Sequence, residues 1–153
     1  MERSVKVRLD TSKLASLDAI YISHAHSDHF DPYTLSLIYE HADPLLLLPF
    51  TLAYLVPLFQ EFLPKAKIQV LRNHEIFPLR GIEIVGHMWQ NPEITNEDDV
   101  MMIAISNDRE LLFAEIDTVP DMFDEDVQKS LYKVFTRRDY TTACYIASRN
   151  HLE

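Results

Sequence analysis

The stretch that most constrains this chain is Asp18–Phe30, Asp-Ala-Ile-Tyr-Ile-Ser-His-Ala-His-Ser-Asp-His-Phe. Ala19–Ile22 is a short apolar run with an aromatic and β-branched bias, the pattern of a buried strand. Four ligand-type residues follow within six positions: His24, His26, Asp28 and His29. Imidazole nitrogen and carboxylate oxygen suit a borderline ion such as zinc. Residues two apart in extended chain point the same way, so His24 and His26 can reach one ion together. The chain must then turn, which sends Asp28 and His29 elsewhere. One cluster feeding two adjacent metal positions is the reading that results. A polar surface loop would not need this density of ligands directly after a buried strand.

The pattern His-x-His-x-Asp-His at a strand end resembles the signature of the metallo-β-lactamase-fold hydrolases. The resemblance implies an αββα layered sandwich, a short or truncated form incomplete at its N- and C-terminal edges, and further metal ligands at later strand ends. Three residues match that order, each after an apolar run: His87, Asp117 and His151, at intervals of 58, 30 and 34 residues from His29 onward. Carried over, the resemblance places one zinc on His24, His26 and His87 and a second on Asp28, His29 and His151, with Asp117 bridging. It implies a zinc-activated hydroxide attacking an ester, lactone, thioester or phosphodiester, with Asp28 and Asp117 as the catalytic carboxylates. Two zinc ions are expected, a single ion being the alternative, with iron or manganese ranked behind zinc.

The rest of the chain reads as mixed strands and helices, an α/β or α+β domain. Val5, Val7 and Leu9 alternate with Lys6 and Arg8 as in a half-buried strand. Thr11 or Ser12 can cap a short helical turn. Asp31 is a plausible N-cap with Pro32 opening a helix. Leu45–Leu48 reads as a buried strand, followed by a helix capped by Thr51, with Pro57 kinking it or in its early turns, and ended near Pro64. Short strands are expected at Ile68–Leu71, Ile76–Leu79 and Ile82–Val85, the last ended by Gly86-His87. A polar loop covers Trp89–Asp99, and a hairpin covers Val100–Ile116 around Asn107-Asp108. A helix from Phe123 to Phe135 and a final strand, Thr141–Ala147, complete the order. His41 and His74 fall in turns and read as surface residues, and Cys144, in an apolar run, reads as inert core. Arg137 and Arg138 read as a surface pair at a helix end, with anion binding near the site as the other reading.

Around Asp117 the chain departs from the family. Glycines usual in that turn are absent from Ala114-Glu-Ile-Asp-Thr-Val-Pro120. A positive φ there would strain Glu115 or Ile116.

At 153 residues the length fits one domain with a real core. A formal charge of −10 argues against a nucleic-acid partner. A small-molecule substrate is expected, and an anionic one is compatible with two bound cations. The prolines at 44, 49, 57 and 64 break up the most apolar region, so no run approaches the roughly 20 residues of a membrane span. One cysteine and a charged Met1–Asp10 without a signal-peptide core point to a cytoplasmic protein. A missing edge strand would invite self-association or pairing with a flanking segment, as in a fragment of a longer chain. The alternative function is a regulatory or non-catalytic metal-binding domain within a larger protein.

Overall fold

The structure is a computed structural model, and it describes residues 11–27, 29–88, 100–116 and 125–146. A single helical turn, α1 (Thr11–Leu14), leads into β1 (Ala19–Tyr21). Helix α2 (Pro32–His41) then carries the chain to β2 (Leu45–Pro49). A 3₁₀ turn (Phe50–Leu55) and α3 (Val56–Phe62) carry it on to β3 (Lys67–Leu71). These three strands form one parallel sheet in the order β1-β2-β3, with Ala19 opposite Leu45 and Leu45 opposite Lys67. Parallel neighbours need long crossovers, and the helices are those crossovers.

The second sheet is formed by β4 (Ile76–Leu79), β5 (Ile82–Met88), β6 (Met101–Ser106), β7 (Glu110–Ala114) and β8 (Thr142–Ile146), in that order. The first four strands pair antiparallel; β8 joins β7 in parallel after the crossover helix α4 (Glu125–Thr136).

Strand periodicity sorts the apolar residues into three cores. On β2, Leu46 and Leu48 face α2 and α3, packing with Ile22, Leu35, Phe59 and Leu63. Its alternate residue Leu47 faces the second sheet, with Leu71, Ile84, Met101 and Ile103. On β6, Met102 and Ala104 face away from the first sheet and pack with Phe113 and with Leu131 of α4. The layers are therefore helix, sheet, sheet, helix. Each fully buried leucine of Leu46–Leu48 contributes about 1.5–3 kcal/mol relative to an exposed one. The αββα architecture is the one the motif implied.

Several local expectations need correction. Thr51 caps no helix; it sits inside the 3₁₀ turn, whose N-cap is Pro49 without a side-chain bond. Pro57 lies in the first turn of α3, the second of its two expected placements, where its missing N–H costs nothing. The β5 strand does not stop at Gly86 but runs through His87 to Met88, paired with Met102 and Met101. Cys144 is exposed, not core. Among the described residues strand β8 has one neighbour, β7, and Thr142, Ala143, Cys144 and Ile146 are all exposed, so its apolar composition does not translate into burial. The expected strand at 4–10, the loop at 89–99 and the helix start at Phe123 lie outside the described residues.

Candidate metal centre

The histidine loop begins where β1 ends. Ile22 donates its backbone N–H to Leu47 O at 3.1 Å, extending the parallel pairing one residue beyond the strand. The buried Tyr21 hydroxyl donates to Met101 O at 2.6 Å, which ties the end of β1 to the start of β6 on the other sheet. Burial pushes the Tyr21 phenol far up, so it remains a donor at any ordinary pH.

After Ile22 the chain descends and then turns tightly. The N–H groups of His29 and Phe30 both bond to His26 O, at 3.0 and 2.8 Å. Asp31 then caps α2, its carboxylate accepting from the N–H groups of Tyr33 and Thr34 at 3.2 and 3.1 Å. The Thr34 hydroxyl and these backbone bonds hold the Asp31 carboxyl below its usual range. Pro32 at the helix start completes the expected cap.

The turn brings three imidazoles together. The His24 ring lies 4.6 Å from that of His26 and 4.3 Å from that of His29, centroid to centroid. His29 was expected to face away from His24; the bonds onto His26 O fold it back beside His24 instead. His24 is buried, His29 half-buried and His26 exposed, so the cluster runs from the interior to the surface. Ser23 Oγ lies 2.9 Å from His24 Nδ1, the kind of outer contact that fixes ring orientation in metal-ligating histidines. A cavity of about 300 Å³ opens beside His29, walled by Phe30, Leu35 and Ile38.

His87 is placed differently. The residues of β5 that face the first sheet are Ile84 and Met88. Val85 and His87 therefore point the other way, toward α4, and both line a cavity with Val134. His87 is fully buried, 0% exposed, and its ring centroid is 5.4 Å from that of His74. Burial first, and the neighbouring His74 second, push its imidazole down to about 4, so it is neutral at pH 7. Among the described residues, no three His, Cys, Asp or Glu side chains form a ready coordination set. His24, His26 and His87, which the resemblance joins at one zinc, are thus not gathered as one. Asp28, Asp117 and His151 lie outside the described residues.

Two residues were not anticipated. Glu115 is a buried carboxylate at 1% exposure, just past β7. Exposed His74, read as an ordinary turn residue, sits at φ +63° against His87. The signal for His74 was available in principle: once β5 is read through His87, the turn before β4 must pass that strand, and Asn73 bridges Gly86 and accepts from Met88 N–H at 2.9 Å. Glu115 had no such signal, since a strand-end carboxylate normally faces water. The strain expected around Asp117 falls on Ile116, at φ +49°. For a β-branched residue this is a true outlier, with a cost of about 1–3 kcal/mol.

No family model matches the chain. A protein of Mycolicibacterium smegmatis named "Putative Rieske 2Fe-2S iron-sulfur protein" is 36% identical over 98 residues, 64% of this chain and 16% of that protein. Two solved structures are similar in fold. One is a possible metal-dependent hydrolase from Veillonella parvula, with a TM-score of 0.56, 18% identity and coverage of 82% of this chain and 48% of that one. The other is CmlA, a diiron β-hydroxylase from Streptomyces venezuelae, with a TM-score of 0.53, 18% identity and coverage of 65% and 20%. The chain therefore spans less than half the length of each of these proteins. The likeness is one of fold: the layered arrangement of this chain is shared with part of each of these two proteins.

Proposed function

We propose that this chain is a metal-dependent hydrolase domain whose metal is held by the loop after β1. The observation that carries this is the packing of the His26 and His29 rings against His24, each centroid within 4.6 Å of the His24 ring, at the end of β1. Imidazole nitrogen suits zinc; the three rings are neighbours that would have to rotate to form one coordination set, and Asp28 of the same loop is proposed to supply a carboxylate. Asp117 and His151 are the proposed remaining ligands, with two ions as the proposed number. His87 joins them only if the end of β5 re-pairs and turns its side chain away from α4. When bound, zinc supplies Lewis acidity and lowers the pKa of a water to about 7, so water can act as nucleophile at neutral pH.

The chain's own residues then have separate tasks. His24, fixed by Ser23, forms the inner wall, while exposed His26 and half-buried His29 form the mouth. Asp28 orients the nucleophile or accepts its proton, and Asp117 holds the two positions together. The cavity beside His29 takes the apolar part of an ester, lactone, thioester or phosphodiester. A single domain and a cytoplasmic location complete the reading, the latter resting on the one cysteine.

A second reading is a non-catalytic metal-binding domain of a longer protein, favoured by the 16% share of the mycobacterial relative that the chain spans. A Rieske cluster within the chain itself is excluded, because it takes two cysteines and this chain has one. The deciding experiment measures metal per chain and turnover of generic esters, lactones and bis-aryl phosphodiesters with and without chelator. Chelator-sensitive turnover that disappears in His26→Ala is the expected result. Bound metal with no turnover on any substrate favours the second reading and sinks the first.

A further inference from the structure

We propose that the cavity between β5 and α4, on the far side of the second sheet, binds the anionic group of a small molecule, a phosphate or a carboxylate. The cavity measures about 500 Å³ and its titratable lining consists of His74, His87, Lys129, Lys133 and Arg137. Among the described residues no carboxylate lines it, in a chain where Asp and Glu outnumber Lys and Arg by 24 to 14. Its apolar walls include Val85 and Val134, so an anion entering it exchanges bulk water for a partly dry, positively charged surround.

The arrangement of the cations is the second observation. Lys129 and Lys133 lie four apart on α4, on one face of the helix, and Arg137 follows four residues later, just past the helix end; all three line the cavity. Like charges at that spacing disfavour a helix, so the row is not there for the helix's own stability. Two of the three are held in place by carboxylates outside the lining. Glu125 pairs with Lys129 at 3.0 Å, and Glu83 pairs with Arg137 at 2.7 Å while also meeting Arg138 at 3.2 Å. Between them, Lys133 has no ion pair among the described residues. A row of cations, positioned from behind and aimed at a cavity, is the pattern that recognises anionic oxygen. At the floor, the His74 and His87 rings add N–H donors. In this structure the site is separate from the histidine loop: it stands on the far face of the second sheet, it needs no metal, and His87 is the one lining residue that also figures among the proposed metal ligands.

The test is titration of the full chain with inorganic phosphate and, separately, with succinate, in the presence of chelator, followed by calorimetry. Saturable binding of either anion is expected, weakened about tenfold by Lys133→Gln and by Arg137→Gln. The exposed Lys67→Gln, on β3, should leave it unchanged. The anion that binds more tightly assigns the class. If neither anion binds saturably at millimolar concentration, or if Lys133→Gln and Lys67→Gln behave alike, the proposal is overturned.

Discussion

The two sheets of this molecule carry their histidines in opposite ways. In the first, every strand is parallel and β2 is covered on both faces, so the strands are given over to Leu, Ile and other packing residues. Its chemistry is displaced into the loop beyond β1, where a tight turn stacks three imidazoles. In the second, strands alternate, and β5 carries His87 within its pairing, facing α4. That sheet also ends in β8, where Thr142, Ala143, Cys144 and Ile146 are exposed. A doubly covered strand leaves ligands nowhere to go but its end, whereas an alternating strand can carry one on whichever face has a cavity.

The largest consequence of this difference is in stability. Leu48, with 0% exposure between β2 and the helices, should cost about 2–5 kcal/mol when replaced by alanine. The same truncation of Ile146 at the edge of the second sheet, 50% exposed, should cost no more than about 0.5 kcal/mol. Urea unfolding midpoints at unchanged slope read both values. Comparable losses would mean that β8 is covered in solution, by a second copy or a longer chain, and the contrast between the sheets would fail.

An intermediate effect is expected where the sheets touch. A Cβ added at Gly86 would fall inside contact distance of Met101 Sδ, and at 3.1 Å from its Cγ. Met101 is fully buried and has little room to yield. Gly86→Ala should therefore cost about 1–3 kcal/mol, and part of that loss should vanish in a Met101→Ala background, a coupling that a double-mutant cycle measures. Additive losses would show that β5 and β6 can separate there, which is also the movement His87 needs to reach the loop.

The same asymmetry decided how much could be read in advance. The buried run Leu45–Leu48 and the cap formed by Asp31 and Pro32 were legible because both are local: consecutive apolar residues, and a carboxylate two and three residues before the N–H groups it accepts from. The αββα layering was legible through the motif. The positive φ at Ile116 was legible because a missing glycine leaves a backbone demand unmet. What failed depended on partners remote in sequence. The end of β5 was set by pairing with Met101 and Met102, not by Gly86. Cys144 sits in an apolar segment, but burial needs a covering layer that composition cannot announce. The return of His29 to His24 depended on two backbone bonds to one carbonyl.

The smallest effect concerns the connection that delivers α2 to β2, and it sharpens the comparison because this entry is half-buried, whereas the matching hydroxyl bond at the entry to β8, from Thr141 to Arg109 O at 3.2 Å, is exposed. Tyr39 donates its hydroxyl to Pro44 O at 2.8 Å, fixing the entry to the buried leucine run. Burial first, and the nearby Asp43 charge second, push its phenol up to about 12. A folded-state pKa above the unfolded value of about 10 means that the unfolded chain loses its proton first. The contribution is therefore complete below pH 10 and is lost as pH rises through 12. Tyr39→Phe should lower stability by about 1 kcal/mol or less at pH 8. The wild-type advantage should shrink between pH 10 and 12, as denaturation midpoints of the two proteins converge. Midpoints that stay parallel over that range would show that the Tyr39 hydroxyl is solvated, and that the entry to β2 is held by the leucines alone.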